Sequence, residues 1–134
     1  MNIPDILSKL KEPAQKILNN KDSTLSFLQK IQQKMSQTES PKIDEIKKDT
    51  KNGISMIRAY VKGDYRNVPW QSILFVTMAL VYFLNPLDVI PDFIPLKGFI
   101  DDATVLVFVL NAVKGDLDAF MSWKQSQPDT DEAE

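Results

Sequence analysis

The sequence predicts an all-α fold, and three observations carry that reading. Only four of the 134 residues are glycine, and no segment alternates apolar and polar side chains as a half-buried strand does. Apolar residues recur at three- and four-residue spacing through most of the first 63 positions. Helix punctuation is explicit, with Ser40-Pro41 as a start and Gly63 as a stop. About five helices are expected. Two apolar ones, 70–84 and 102–124, are joined by a Pro/Asp-rich irregular loop and covered by amphipathic N-terminal helices.

The first element spans residues 3–19. Pro4 and Asp5 suit a helix start, and Ile3, Ile6, Leu7 and Leu10 share one face. Pro13 disfavours helix at Glu12, so a kink or break is expected there before Ile17 and Leu18 resume the pattern. Asn19, Asn20 and Lys21 read as a turn. The second helix runs over 23–37, capped by Asp22 or Ser23. Leu25, Leu28, Ile31 and Met35 form its stripe, with Phe27 beside them. Ser36 to Ser40 is a polar linker.

The third helix opens at Ser40-Pro41, with Asp44 and Glu45 in the turn where the dipole favours acid. Ile43, Ile46, Ile54, Ile57, Tyr60 and Val61 make one broad face. Gly53 lies inside it and permits a close helix crossing, at a cost of about 1 kcal/mol against Ala. Arg58, Lys62 and Arg66 complement the helix end, or mark the water side of a membrane interface.

No charged residue occurs from Asn67 to Leu87, and Trp70 to Leu84 is apolar almost all round. Such a helix is either the centre of a bundle or in a membrane. Fifteen residues at ~1.5 Å rise give roughly 22 Å, short of the ~30 Å hydrocarbon core. Ala103 to Val113 is also uncharged and too short to span a bilayer. That helix is expected to continue, amphipathically, through Leu117, Phe120, Met121 and Trp123. Residues 1–40 read as a helical extension packed with 41–125 as one unit, and 126–134 as a disordered acidic tail.

The chain has no Cys and no His, which excludes disulfides, thiolate nucleophiles, histidine triads and the common zinc sites. No catalytic residues declare themselves. The net charge of −2 hides an asymmetry. Residues 1–66 carry 13 Lys/Arg against 8 Asp/Glu, and residues 67–134 carry 3 against 10. A basic front half suits anionic lipid or an acidic partner, or is simply a mixed solvated surface. No aromatic-basic interleaving points to nucleic acid. The N-terminal residues show no signal-peptide pattern, so the protein is expected to stay where it is made.

Residues 82–102 read YFLNPLDVIPDFIPLKGFIDD. Pro86, Pro91 and Pro95 forbid a continuous helix, and Gly98 can supply a positive φ. Two readings of the acids follow. In the first, Asp88 and Asp92 are turn and cap residues and Asp101 and Asp102 are N-caps, bonding backbone N–H groups. In the second, the four carboxylates converge on Ca²⁺ or Mg²⁺. The spacing lacks the alternation of an EF-hand loop, and capping is the expected role. No other cofactor is expected.

The series Pro86, Asp88, Pro91, Asp92, Pro95, Gly98, Asp101, Asp102 strongly resembles the signature of the YkvA-like family, a bacterial domain of unknown function. The resemblance covers about residues 54–120, including Arg58-Ala59-Tyr60 and Lys62-Gly63, and leaves 1–40 outside. It implies no established reaction. It implies a membrane protein, integral or peripheral, and, since similar domains accompany RING-type modules in membrane-bound ubiquitin ligases, anchoring or adaptor work.

Three functions are therefore expected in turn. The first is a non-catalytic helical adaptor on the cytoplasmic side of a membrane, peripheral or inserted as a hairpin, with lipid or a membrane protein as partner. The second is a fully soluble helical-bundle interaction protein in the cytoplasm. The third is a cation-binding protein or hydrolase using Asp88, Asp92, Asp101 and Asp102.

Overall fold

A computed structural model describes residues 3–37, 41–84 and 102–127, and the fold is all-helical. Six helices are present among the described residues: α1 (Ile3–Leu18), α2 (Lys21–Gln37), α3 (Pro41–Lys62), α4 (Trp70–Leu84), α5 (Asp102–Ala112) and α6 (Lys114–Ser126).

The organising element is α4. Every residue from Ile73 to Phe83 except Phe75 is buried. Its most extensive neighbours are α1 and α5, with α2 and α3 completing the sheath. The all-round apolarity of α4 is therefore matched by protein on its flanks, as at the centre of a bundle. Among the described residues, no helix is long and apolar enough to cross a membrane. Thr77, the polar residue in the middle of α4, is 1% exposed and donates its hydroxyl to the Ile73 carbonyl at 2.8 Å. That local bond removes the penalty of an unmet buried hydroxyl.

The stripe on α1 is used as its spacing demands. Ile6, Leu7, Leu10 and Ala14 are buried. The break expected at Pro13 does not occur, and α1 is helical through it. Proline leaves the carbonyl of Lys9 without an intrahelical partner, but Lys9 is exposed and water can reach that turn. Leu10 and Ala14 bracket the proline and are fully buried, so both halves are anchored in one core. Their burial offsets the ~3 kcal/mol that an interior proline costs.

At the next corner the cap also differs from expectation. The Ser23 N–H donates to Asn20 Oδ1 at 2.9 Å, so Asn20 caps α2 rather than Asp22 or Ser23. Asn is as good an acceptor at this position and sits three residues before the donor. The buried Thr24 hydroxyl then donates to the carbonyls of Ile17 at 2.8 Å and Asn20 at 3.1 Å, tying α2 to the end of α1.

Pro41 is the first residue of α3, as its φ preference suits. Gly53 does mark a close crossing. A Cβ there would lie 3.4 Å from Val76 Cγ1 on α4, 3.9 Å from Leu110 Cδ2 on α5 and 4.0 Å from Leu117 Cδ2 on α6. Gly63 ends the helix with φ +86°. Its N–H donates to the Tyr60 carbonyl at 3.1 Å, and the Asp64 N–H to Ala59 at 2.9 Å. These two reversed bonds satisfy carbonyls that the helix end leaves open.

The helix expected over 102–124 is split at Val113, where φ is −106° and ψ is 18°. The break is slight. The Val113 N–H still donates to Val109 at 3.1 Å, and its carbonyl accepts from Leu117 at 3.0 Å. A β-branched residue followed two positions later by Gly115 is a weak point in helix propensity. Val113, Leu117 and Phe120 are all buried on either side of it. Helix α6 reaches Ser126, past the expected Lys124.

Candidate functional site

The acids singled out by the sequence are not part of this geometry. Asp88, Asp92 and Asp101 lie outside the described residues, as do Pro86, Pro91, Pro95 and Gly98, and of Asp102 only the backbone, opening α5, is described. Ser40 and the 128–134 part of the acidic tail lie outside as well. Among the described residues, no group of three or more metal-ligating side chains comes together.

What the structure does assemble is a pair of charged contacts at the ends of α4, which carries no charge of its own. At its N-terminal end the Ser72 hydroxyl donates to Asp116 Oδ2, in the first turn of α6. A carboxylate beside a helix N-terminus meets the positive end of the dipole. At the other end the Lys34 ammonium, from α2, donates to the Phe83 carbonyl and sits 4.8 Å from the centre of the Phe83 ring. A cation there meets carbonyls left open by the helix end. These two side chains fix the central helix lengthwise while apolar packing fixes it laterally.

Around the N-terminal end of α4 an aromatic cluster closes the bundle. Tyr65, 4% exposed, lies 5.1 Å from Phe120 in an edge contact and 4.9 Å from Trp123. Phe120 and Trp123 stack at 5.7 Å. Burial raises the Tyr65 phenol above its ordinary pKa of 10.0, and the Asp116 carboxylate adds to the rise.

The outer edge of the same end is cationic and exposed. Trp70 is 41% exposed and its ring lies 6.0 Å from Tyr60. The Arg66 guanidinium lies 4.6 Å from the Tyr60 ring centre, and its Nε donates to the Tyr60 carbonyl at 2.7 Å. Arg58 reaches the Gln32 amide oxygen at 3.4 Å. The sequence placed Arg58, Lys62 and Arg66 together at this helix end. It did not reveal that Arg66 folds back over Tyr60, or that Ser72 and Asp116 meet, because both contacts join segments distant in the chain or turned through a loop. The absence of charge on α4 was the available signal that its ends need partners from elsewhere.

Residues 72–108 match the family described as a protein of unknown function (DUF1232). The match runs from the first turn of α4, through the Pro/Asp series, into α5. A relative from Bacillus subtilis (strain 168), named an uncharacterized membrane protein, YkvA, is 39% identical over 69 residues. That alignment covers 52% of this chain and 65% of the relative, so less than two thirds of the relative's length is spanned. No solved structure matches the chain. The resemblance carried by the Pro/Asp signature thus holds: over these residues the chain is similar to the YkvA-like DUF1232 family.

Proposed function

We propose that this protein is a non-catalytic helical adaptor that works peripherally at the cytoplasmic face of a membrane. The observation that carries the reading is the sheath around α4. From Ile73 to Phe83, Phe75 apart, its apolar surface is spent on α1, α2, α3 and α5, so the body of the helix is not available to lipid. Membrane contact then has to come from the surface of the bundle, without insertion of a hairpin. The name of the Bacillus relative supports the membrane part of the reading. Fractionation of cells expressing the full chain tests it. The protein is expected in the membrane fraction and is released by alkaline carbonate without detergent. Recovery only in the soluble fraction overturns the reading, and a requirement for detergent overturns its peripheral character.

The fully soluble interaction bundle is the second reading, favoured by the same internal use of α4. Recovery in the soluble fraction, together with a protein partner that co-purifies stoichiometrically, would establish it instead.

A further inference from the structure

We propose that the bundle end bearing Tyr60, Arg66 and Trp70 is the surface that docks on an anionic phospholipid bilayer; this rests on the membrane reading above. Two large apolar side chains are exposed among the described residues, Trp70 at 41% and Phe108 at 43%. Their surroundings differ. Phe108 lies in a stretch without charge, from Ala103 to Val113. Trp70 stands against Tyr60, which in turn carries the Arg66 guanidinium on its ring.

This grouping has the chemistry of a membrane–water boundary. Indole and phenol rings join an apolar body to a polar tip and settle at headgroup depth. A guanidinium held over a ring presents its remaining N–H donors in the planar fork that suits phosphate oxygens. Arg66 is anchored through Nε to the Tyr60 carbonyl, so it is already ordered. Arg58, Lys62 and Arg66 form no ion pair among the described residues, whereas Lys47 and Lys114 pair with Asp44, Asp49 and Asp118. Asp64 is the one acidic residue between Arg58 and Trp70. The second tryptophan, Trp123, packs on Tyr65, the residue that precedes Arg66. Docking by this end requires no helix to leave the bundle.

The test is co-sedimentation of the full chain with vesicles of phosphatidylcholine alone and of phosphatidylcholine with phosphatidylglycerol. Binding is expected to the anionic vesicles, weakening as salt is raised. Trp70→Ser is expected to weaken it by roughly tenfold, and Arg66→Gln and Lys62→Gln by about fivefold each. Phe108→Ser is expected to bind as the unaltered chain does. If Trp70→Ser does not fold, a Trp123→Phe variant leaves Trp70 as the sole indole, and brominated acyl chains are expected to quench it. Absence of quenching, or undiminished binding by the Trp70 and Arg66 variants, overturns the assignment. Failure to bind either vesicle by a protein still found in the cellular membrane fraction overturns this docking surface and leaves the membrane reading standing. Absence from that fraction overturns both.

Discussion

The Ser72 hydroxyl donates to the Asp116 carboxylate, joining the first turn of α4 to the first turn of α6. The contact matters because α4 is uncharged and buried, and its ends are where unmet backbone groups concentrate. Lys34 serves the opposite end through the Phe83 carbonyl. A negative group at the start and a positive group at the finish is the arrangement the helix dipole favours.

Replacing Asp116 with alanine is therefore expected to lower stability by about 1 kcal/mol, since the bond is charge-assisted but only partly sheltered from water. Urea unfolding of Asp116→Ala, Ser72→Ala and the double variant reads the coupling. Strictly additive losses would mean that the two side chains do not cooperate.

Tyr65 gives a pH dependence whose sign follows from its raised pKa. As pH rises past the ordinary 10.0, the unfolded chain loses the phenolic proton while the folded chain keeps it. The unfolded state then binds fewer protons, so stability falls as pH rises from there through the folded-state value. Below pH 10 the contribution is fully present. Chemical denaturation at several alkaline pH values should show a shallower decline for Tyr65→Phe than for the unaltered chain. Parallel slopes would contradict the assignment.

Two glycines should respond oppositely to alanine. At Gly53 the nearest atom to an added Cβ is 3.4 Å away, ordinary contact, so Gly53→Ala gains helix propensity worth about 0.5–1 kcal/mol. A larger side chain such as leucine would drive α3 from Val76, Leu110 and Leu117, at about 1–3 kcal/mol. At Gly63 the positive φ makes any Cβ unfavourable by about 1–2 kcal/mol, although nothing crowds the site. Thermal melts of Gly53→Ala and Gly63→Ala should move in opposite directions.

The aspartates of the Pro/Asp series are proposed as cap and turn residues. Calorimetry with Mg²⁺, Ca²⁺ and Mn²⁺ is then expected to show no saturable heat, and melts no cation-dependent shift. A stoichiometric heat abolished by Asp88→Asn would establish the cation site instead.

The helices were legible because their signals are local. Periodicity placed the buried stripes on α1 and α2, Pro41 and Gly63 bounded α3, and the run from Trp70 to Leu84 is α4 residue for residue. One error arose where tertiary packing outweighs a local rule, and another where a local weakness went unweighed. Pro13 was expected to break α1, but buried Leu10 and Ala14 hold the helix together across it. Val113 was expected to lie within one helix, yet weak propensity there suffices to divide it. The sequence left lipid and protein as equal alternatives around α4, since composition records apolarity and not what covers it. The interface of Tyr60, Arg66 and Trp70 was visible only as a basic helix end, because the ring contacts form across the turn at Gly63.

The central claim is that α4 is sheathed by the chain's own helices. Amide hydrogen exchange on the full chain in detergent-free buffer tests it most directly. Amides of residues 73–83 are expected to exchange only through global unfolding, and Leu10→Ala, which opens the α1 core, is expected to lower their protection by about 2–5 kcal/mol together with overall stability. Rapid exchange across 73–83, or protection that appears only when detergent or lipid is added, would contradict it.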